Sequence, residues 1–195
     1  MQADNSFFIM TNSPSLPFAY KKKFDLLPTL ILRHRKENLK KCSLRGLEER
    51  NDFHFIRYPC KVLPDLAGYC LLTIDAPLLS EQDKELGLFL IDGTWKYAQI
   101  MEKSIPKDAP LIKRSLPTHF RTAYPRYQTA CSEPERGLAS IEALYIAFHI
   151  TGRSTKELLD HYYWKEEFLK LNQFTSEDSW HSKTPTADTA FLQEE

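Results

Sequence analysis

An acidic residue, a glycine, a hydroxyl and an indole follow one another where an apolar segment ends. The apolar run 86–91 stops at Asp92, and Gly93, Thr94 and Trp95 lead into a pattern typical of a helix. In an open α/β sheet, ligands bind beyond the carboxyl ends of the strands, so Asp92 would lie at a binding edge. A carboxylate there can accept a proton or hold a cationic part of a ligand. The alternative is that Asp92 or Thr94 only caps the helix and that Trp95 only packs in the core.

Two further groups are candidates for chemistry. Glu142 lies at the start of the strongest helical pattern in the chain. It either contacts a ligand or is a first-turn carboxylate that the helix dipole favours. Cys42 lies beside Lys40 and Lys41, which could lower the pKa of its thiol. No histidine pattern accompanies Cys42, so we interpret it as a packing residue.

Basic residues are concentrated in the first third of the chain. Residues 20–61 hold twelve Lys and Arg against five Asp and Glu, a local charge of +7, whereas 26 basic and 26 acidic residues cancel over the whole chain. A second basic stretch, at 113–136, is interleaved with aromatic residues. This pattern suits single-stranded RNA, because cations pair with its phosphates and aromatic rings stack on its bases. The alternative is a solvated surface whose neighbouring aromatic residues belong to the core.

Hydrophobic periodicity predicts strands alternating with helices, and therefore an α/β protein with a largely parallel sheet. Strands are predicted at 29–32, 53–58, 68–74 and 86–91. Helices are predicted at 38–50, 95–103, 140–150 and 154–171, with a further helix start at Ser80 and a Pro-rich loop over 107–137. The length of 195 residues favours one domain, which we place at 20–174, after an irregular arm at 1–19 and before a disordered acidic tail at 175–195.

Several classes of protein are excluded by composition. The six glycines form no GxG or GxxxxGK pattern, which excludes the dinucleotide-binding fingerprint and the P-loop. The four cysteines include no CxxC pair, which argues against a zinc ribbon and a disulfide framework. No stretch approaches the roughly 18 apolar residues of a membrane span, and the N-terminus has no secretory pattern. We therefore expect a cytoplasmic protein with no metal and no membrane partner.

Five short segments resemble one known superfamily. Residues 92–95 (Asp-Gly-Thr-Trp) resemble the signature of the DTW-domain proteins, which are grouped with the ribosome-biogenesis aminocarboxypropyltransferases. Residues 30–37 resemble the first strand and basic loop, and 138–143 resemble a segment of the tRNA-modifying branch. Residues 40–43 (Lys-Lys-Cys-Ser) and 164–172 resemble the rRNA-modifying branch. The resemblance covers about residues 28–174, but the cysteine cluster typical of the tRNA branch is absent.

The resemblance implies an enzyme that transfers the 3-amino-3-carboxypropyl group of S-adenosyl-L-methionine (SAM) to a uridine in tRNA. The same transfer to a uridine or pseudouridine in rRNA is the first alternative, followed by a SPOUT-type RNA methyltransferase and a non-catalytic RNA-binding module. A SPOUT-like fold with a C-terminal knot is also implied. Within it, a part at about 20–75 would face RNA and a part at about 76–174 would bind the cofactor. The partner is then RNA, and we expect a monomer.

The resemblance also assigns roles to residues. Asp92 would be the catalytic base or would hold the cationic region of SAM. Trp95 would turn the methyl group away from the nucleobase and stabilise the sulfonium. Contacts with SAM are expected from Trp95, Thr94, Ala98, Ser43, Glu142 and Ala143. Contacts with RNA phosphates are expected from Arg33, Arg35, Lys40, Lys41, Arg121 and Arg126.

Overall fold

Five parallel strands form one sheet. The computed structural model describes residues 26–125 and 137–174, so the predicted arm and tail lie outside the described residues. The strands are β1 (Thr29–His34), β2 (Phe53–Tyr58), β3 (Tyr69–Leu72), β4 (Gly87–Asp92) and β5 (Leu111–Arg114). Their order in the sheet is β2-β1-β4-β3-β5, and every pair is parallel. The predicted α/β class with a largely parallel sheet is confirmed.

Helices cover both faces of the sheet. The described residues form α1 (Trp95–Lys103), α2 (Ser140–Ile150), α3 (Lys165–Leu171) and a 3₁₀ turn (Glu81–Asp83). Successive strand side chains point to opposite faces. Leu32 and Phe89 therefore pack with Met101 of α1, while Ile31 and Leu90 pack with α2 and α3 on the other face. None of the helices within the described residues is both long and apolar enough to cross a membrane.

The register of β1 and β4 places two opposite charges side by side. Arg33 is the partner of Asp92 in this parallel pair. Residues two apart on a strand share a face, so Arg33 follows Ile31, and Asp92 follows Leu90, onto the face covered by α2. Both charges consequently lie at the carboxyl edge of the sheet, beneath the start of α2.

The predicted helix over 38–50 is wrong. The segment instead forms successive turns, in which Arg45 N donates to Cys42 O and Leu47 N donates to Leu44 O, each at 3.2 Å. Gly46 has a φ of 91°, a left-handed conformation that an α-helix cannot contain. The turns bury Cys42, Leu44 and Leu47, and their spacing of two and three residues resembles the apolar periodicity of a helix.

Two other predicted elements differ in extent. The predicted helix over 154–171 forms only at its end, as α3, because Glu157 has a φ of 62° and residues 154–164 fold into turns. The predicted Pro-rich loop contains β5, a four-residue strand at one edge of the sheet. None of the β5 residues is fully buried, so the sequence of this strand has no long apolar run that would have predicted it. The helix start at Ser80 yields only the 3₁₀ turn.

Gly87 is required for close packing at the start of β4. A Cβ at this position would overlap carbon atoms of the Tyr69 ring and lie 2.9 Å from Leu27 Cβ. We expect Gly87→Ala to lower the free energy of unfolding by about 1–3 kcal/mol, because a filled core does not accommodate an added methyl group without strain. Urea denaturation measures the change. The exposed Glu85→Ala is the control, and a loss for Gly87→Ala no larger than the control's would contradict the packing argument.

Candidate functional site

A buried ion pair lies where β1 and β4 end. Arg33 Nε donates to Asp92 Oδ2 at 2.8 Å, and the two side chains are 10% and 5% exposed. Arg33 Nη1 also donates to Glu48 Oε1 at 2.6 Å, and the guanidinium carbon lies 4.3 Å from the centroid of the Phe55 ring. Burial alone would lower the pKa of Arg33, but the Glu48 hydrogen bond and the neighbouring Asp92 charge hold it above the usual value.

The Asp92 carboxylate accepts hydrogen bonds from three parts of the chain. Besides Arg33, Ser140 Oγ donates to Asp92 Oδ1 at 2.8 Å, and Cys42 Sγ donates to Oδ2 at 3.5 Å. Burial, together with the Asp92 charge, raises the pKa of the Cys42 thiol to about 12. The thiol is therefore protonated and acts as a donor. The interpretation of Cys42 as packing was incomplete, because its S–H also contacts the acid.

Glu142 is fully buried and saturated with hydrogen bonds. Its carboxylate accepts from Ala139 N and Thr122 Oγ1 at 2.7 Å, and from Ala123 N and Tyr162 Oη at 2.8 Å. A carboxylate offers about four lone-pair sites, so these donors use its capacity. Glu142 joins the segment that follows β5 to the start of α2. Glu142 is not among the residues that line the cavity described next.

A cavity of about 280 Å³ opens beyond the carboxyl ends of β3 and β4. This volume is just below the range of about 300–1,000 Å³ that is usual for small-molecule sites. Its wall comes from residues 72–75 at the end of β3, from the end of β4 with one face of α1, and from parts of 115–120 and 137–143. The α1 residues in the wall have the i, i+3, i+4 and i+7 spacing of a single helix face: Trp95, Ala98, Gln99 and Glu102.

The structure brings three of the predicted cofactor-binding residues together in this wall: Trp95, Ala98 and Ala143. Asp92 is not among the lining residues, but it holds the Ser140 hydroxyl, and Ser140 does line the cavity. Asp92 therefore shapes the site from behind its wall.

The other three predicted cofactor contacts, Glu142, Thr94 and Ser43, are not among the residues that line the cavity. Thr94 precedes α1 in an extended conformation, is exposed, and makes no side-chain capping hydrogen bond. Ser43 Oγ accepts a hydrogen bond from Ile141 N at 3.4 Å, so it satisfies a backbone donor in the first turn of α2.

Sequence reasoning missed the polar part of the wall. Thr73, Asp75, Gln99 and Glu102 all line the cavity. Glu102 could have been found, because it lies seven residues after Trp95 in a predicted helix and so shares its face. Thr73 and Asp75 carry no such signal, because the irregular segment after β3 sets their positions.

The predicted RNA-binding residues divide into two groups. Arg33 differs from the prediction, because its guanidinium is buried in ion pairs and does not face a solvent surface where a phosphate could reach it. Four others are exposed: Arg35, Lys40, Lys41 and Arg121. Arg126 lies outside the described residues.

A second cavity of about 590 Å³ lies between residues 58–66 and residues 104–110. It contains none of the predicted site residues, and its lining is dominated by proline and aliphatic side chains. We therefore take the smaller cavity at the carboxyl edge as the candidate site. Within 26–125 and 137–174, no three His, Cys, Asp or Glu side chains are grouped so that they could hold a metal ion.

Removing the Asp92 charge should strongly destabilise the fold. We expect Asp92→Asn to lower the free energy of unfolding by about 3 kcal/mol, since it leaves a buried guanidinium with one carboxylate partner instead of two. The matched control is Asp52→Asn, which breaks the more exposed Arg50–Asp52 pair and should cost less than about 1 kcal/mol. Chemical denaturation measures both. Equal losses for the two variants would contradict the importance of the buried pair.

The reactivity of the cysteine thiols tests the burial that the structure shows. Burial is the main cause that raises the pKa of both Cys42 and Cys70 to about 12, and the thiolate is the reactive form. Of the three cysteines within the described residues, iodoacetamide at pH 8 should modify the half-buried Cys60 first, and Cys42 and Cys70 only after unfolding. The pKa of each of these two thiols is higher in the folded protein than in the unfolded chain. The unfolded chain therefore loses these protons first, and the free energy of unfolding should fall as pH rises above about 8.5.

Peptide mapping by mass spectrometry measures the labelling. Modification of Cys42 in the folded protein at the rate of Cys60 would show that its thiol is neither buried nor bound to Asp92.

Comparisons with known proteins identify the family of this chain. The family model described as "Ribosome biogenesis protein, C-terminal" matches residues 70–189, more than half of the chain. A comparison with curated protein sequences found no significant match. Among solved structures, the SAM-dependent rRNA:acp-transferase Tsr3 from Vulcanisaeta distributa has a TM-score of 0.57 at 23% identity, over 76% of this chain and 80% of that chain. This likeness concerns the fold.

The match corrects the resemblance to DTW-domain tRNA-modifying enzymes, which was wrong. Residues 92–95 form the end of β4, a short connection and the start of α1. Many α/β proteins share such a junction. Residue Glu142, within the other segment similar to the tRNA branch, is explained by the hydrogen bonds at the start of α2. The chain belongs to the ribosome biogenesis protein family that is defined by this C-terminal region.

Proposed function

We propose that this protein transfers the 3-amino-3-carboxypropyl group of SAM to a uridine or pseudouridine nitrogen in rRNA. The observation that carries the proposal is the cavity beyond the carboxyl ends of β3 and β4, with the Trp95 indole in its wall. Two findings support it. The family is one of ribosome biogenesis proteins, and a structural neighbour with this fold is an rRNA:acp-transferase that depends on SAM. rRNA replaces the tRNA substrate that the sequence favoured.

The reaction joins one nitrogen to one carbon. The base nitrogen attacks the methylene of the aminocarboxypropyl arm next to sulfur, and the bond between that carbon and sulfur breaks. Neutral 5′-methylthioadenosine leaves, and the nitrogen releases its proton. The protein's contribution is positioning, since the methyl group of the same sulfonium is the more accessible carbon. In the proposal, the Trp95 indole covers the methyl group and its ring face contacts the cation.

We propose a positioning role for Asp92 and no role as the base. Three protein donors already occupy its carboxylate, and it is absent from the cavity wall. Through Ser140 it fixes the start of α2 against the cavity. The carboxylates in the wall, Asp75 and Glu102, are partly exposed, so a proton released there reaches solvent directly.

The remaining expectations from the sequence stand as parts of the same proposal. A SPOUT-like fold with a C-terminal knot stays a prediction, and the contacts after β5 extend its parallel pairing with the chain that leaves β3. Ser115 N donates to Pro77 O, and Leu79 N donates to Ser115 O, both at 2.8 Å. The chain leaving β5 is thus bound to the loop that leaves β3. The exposed Arg35, Lys40, Lys41 and Arg121 form the proposed phosphate contacts, in a monomeric, cytoplasmic protein with one domain over 20–174.

A label-partition assay tests the proposal. Purified protein is incubated with ribosomal RNA, or with tRNA, and with SAM that is labelled either in the methyl group or in the carboxyl group. We expect carboxyl label, and no methyl label, to enter rRNA. Methyl label in the RNA would establish the methyltransferase alternative, label in tRNA alone would restore the tRNA substrate, and no label with salt-sensitive RNA binding would indicate the non-catalytic module.

The role of Trp95 has its own test. We expect Trp95→Ala to weaken SAM binding about tenfold, because the ring face no longer contacts the sulfonium, and to raise the share of methyl label that enters rRNA. Calorimetry and the label assay measure these effects. Tyr163→Ala, which removes an aromatic ring that is 87% exposed and outside the cavity, is the control. Unchanged affinity in Trp95→Ala would make Trp95 a packing residue.

A further inference from the structure

The cavity has a polar end that the proposed chemistry does not use. Along the lining face of α1, the side chains change from the indole of Trp95, through Ala98, to the amide of Gln99 and the carboxylate of Glu102. Glu102 lies seven residues after Trp95, which is about 10 Å along the helix axis. Both side chains tilt toward the N-terminus of the helix, so the indole and the carboxylate keep roughly this separation along one wall of the cavity.

The Glu102 carboxylate is held in place but keeps an open side. Lys113 Nζ lies 2.7 Å from Oε1, and Thr73 Oγ1 lies 3.5 Å from both carboxylate oxygens. The side chain is 32% exposed and lines the cavity. Because Lys113 already balances its charge, this carboxylate suits neutral hydrogen-bond donors better than a second cation. Hydroxyl groups are such donors.

We propose that Glu102 accepts hydrogen bonds from the ribose hydroxyls of the donor nucleoside and thereby selects a ribonucleoside. The inference rests on the proposed function, which puts the sulfonium at Trp95. In SAM a single methylene joins the sulfonium to the ribose, so the sugar lies within about two helical turns of the indole. Glu102 is the α1 carboxylate at that position. Recognition of a ribose hydroxyl by an acidic side chain is established chemistry in nucleotide-binding α/β proteins.

The competing explanation is mechanical. Glu102 could serve only to fasten α1 to β5 through Lys113. The two explanations differ in what the sugar does. If Glu102 binds the ribose, losing the carboxylate and losing the 2′-hydroxyl remove the same interaction, so their effects are not additive. If Glu102 only fastens the helix, its loss weakens every ligand equally, and loss of Lys113 has the same consequence.

The experiment compares two probes by calorimetry on the full chain: 5′-methylthioadenosine and 5′-methylthio-2′-deoxyadenosine. We expect the wild-type protein to prefer the ribonucleoside about tenfold or more, as for a hydrogen bond to a charged acceptor. Glu102→Ala should reduce this preference to within about twofold, and the isosteric Glu102→Gln should reduce it partly. Lys113→Ala should retain the preference, and the distant Glu85→Gln should leave it unchanged.

Three results would overturn the inference: no sugar preference in the wild-type protein, a preference that persists in Glu102→Ala, or its equal loss in Lys113→Ala. These outcomes leave the proposed function intact if SAM and 5′-methylthioadenosine still bind. Failure of the wild-type protein to bind either ligand would instead refute the proposed function, and this inference with it.

Discussion

The buried contact between Arg33 and Asp92 constrains the whole carboxyl edge of the sheet. Two desolvated charges are stable only when each is paired and hydrogen-bonded, because burying an ion costs several kcal/mol. The structure meets this requirement with groups from four places: β1, β4, the turns over 38–50, and the first turn of α2. A shift of any one would remove a hydrogen bond from one of the two buried charges. The pair therefore fixes how these segments meet.

The cavity depends on that constraint. Ser140 contributes both to the Asp92 carboxylate and to the cavity wall, so the position of the wall follows from the position of the pair. Glu142 acts in a similar way two residues after Ser140, because its hydrogen bonds hold residues 122 and 123 and the Tyr162 hydroxyl against α2. Both buried acids organise the site, whereas the partly exposed acids in the wall remain open to a ligand.

This division explains why residue type alone is a poor guide to the role of a carboxylate. Asp92 and Glu142 have the positions in the chain that a catalytic acid or base would have. Their lone pairs are nevertheless directed at protein donors. Glu102, in an ordinary helical pattern rich in charge, lines the cavity. The number of donors around each oxygen decides the role, and distant segments supply those donors.

The sequence by itself determined the elements whose signals are local. Both α1 and α2 begin and end where their periodicity predicts, and four of the five strands follow from short apolar or alternating runs. Only the tertiary structure decided that 38–50 and 154–164 form turns, since positive φ values at Gly46 and Glu157 leave little mark on hydrophobic patterning. It also decided that Arg33 pairs with Asp92 rather than facing RNA, because the register between strands 59 residues apart sets which charges meet. Periodicity describes a segment and its solvent exposure, while pairing across a sheet is fixed by the packing of the whole chain.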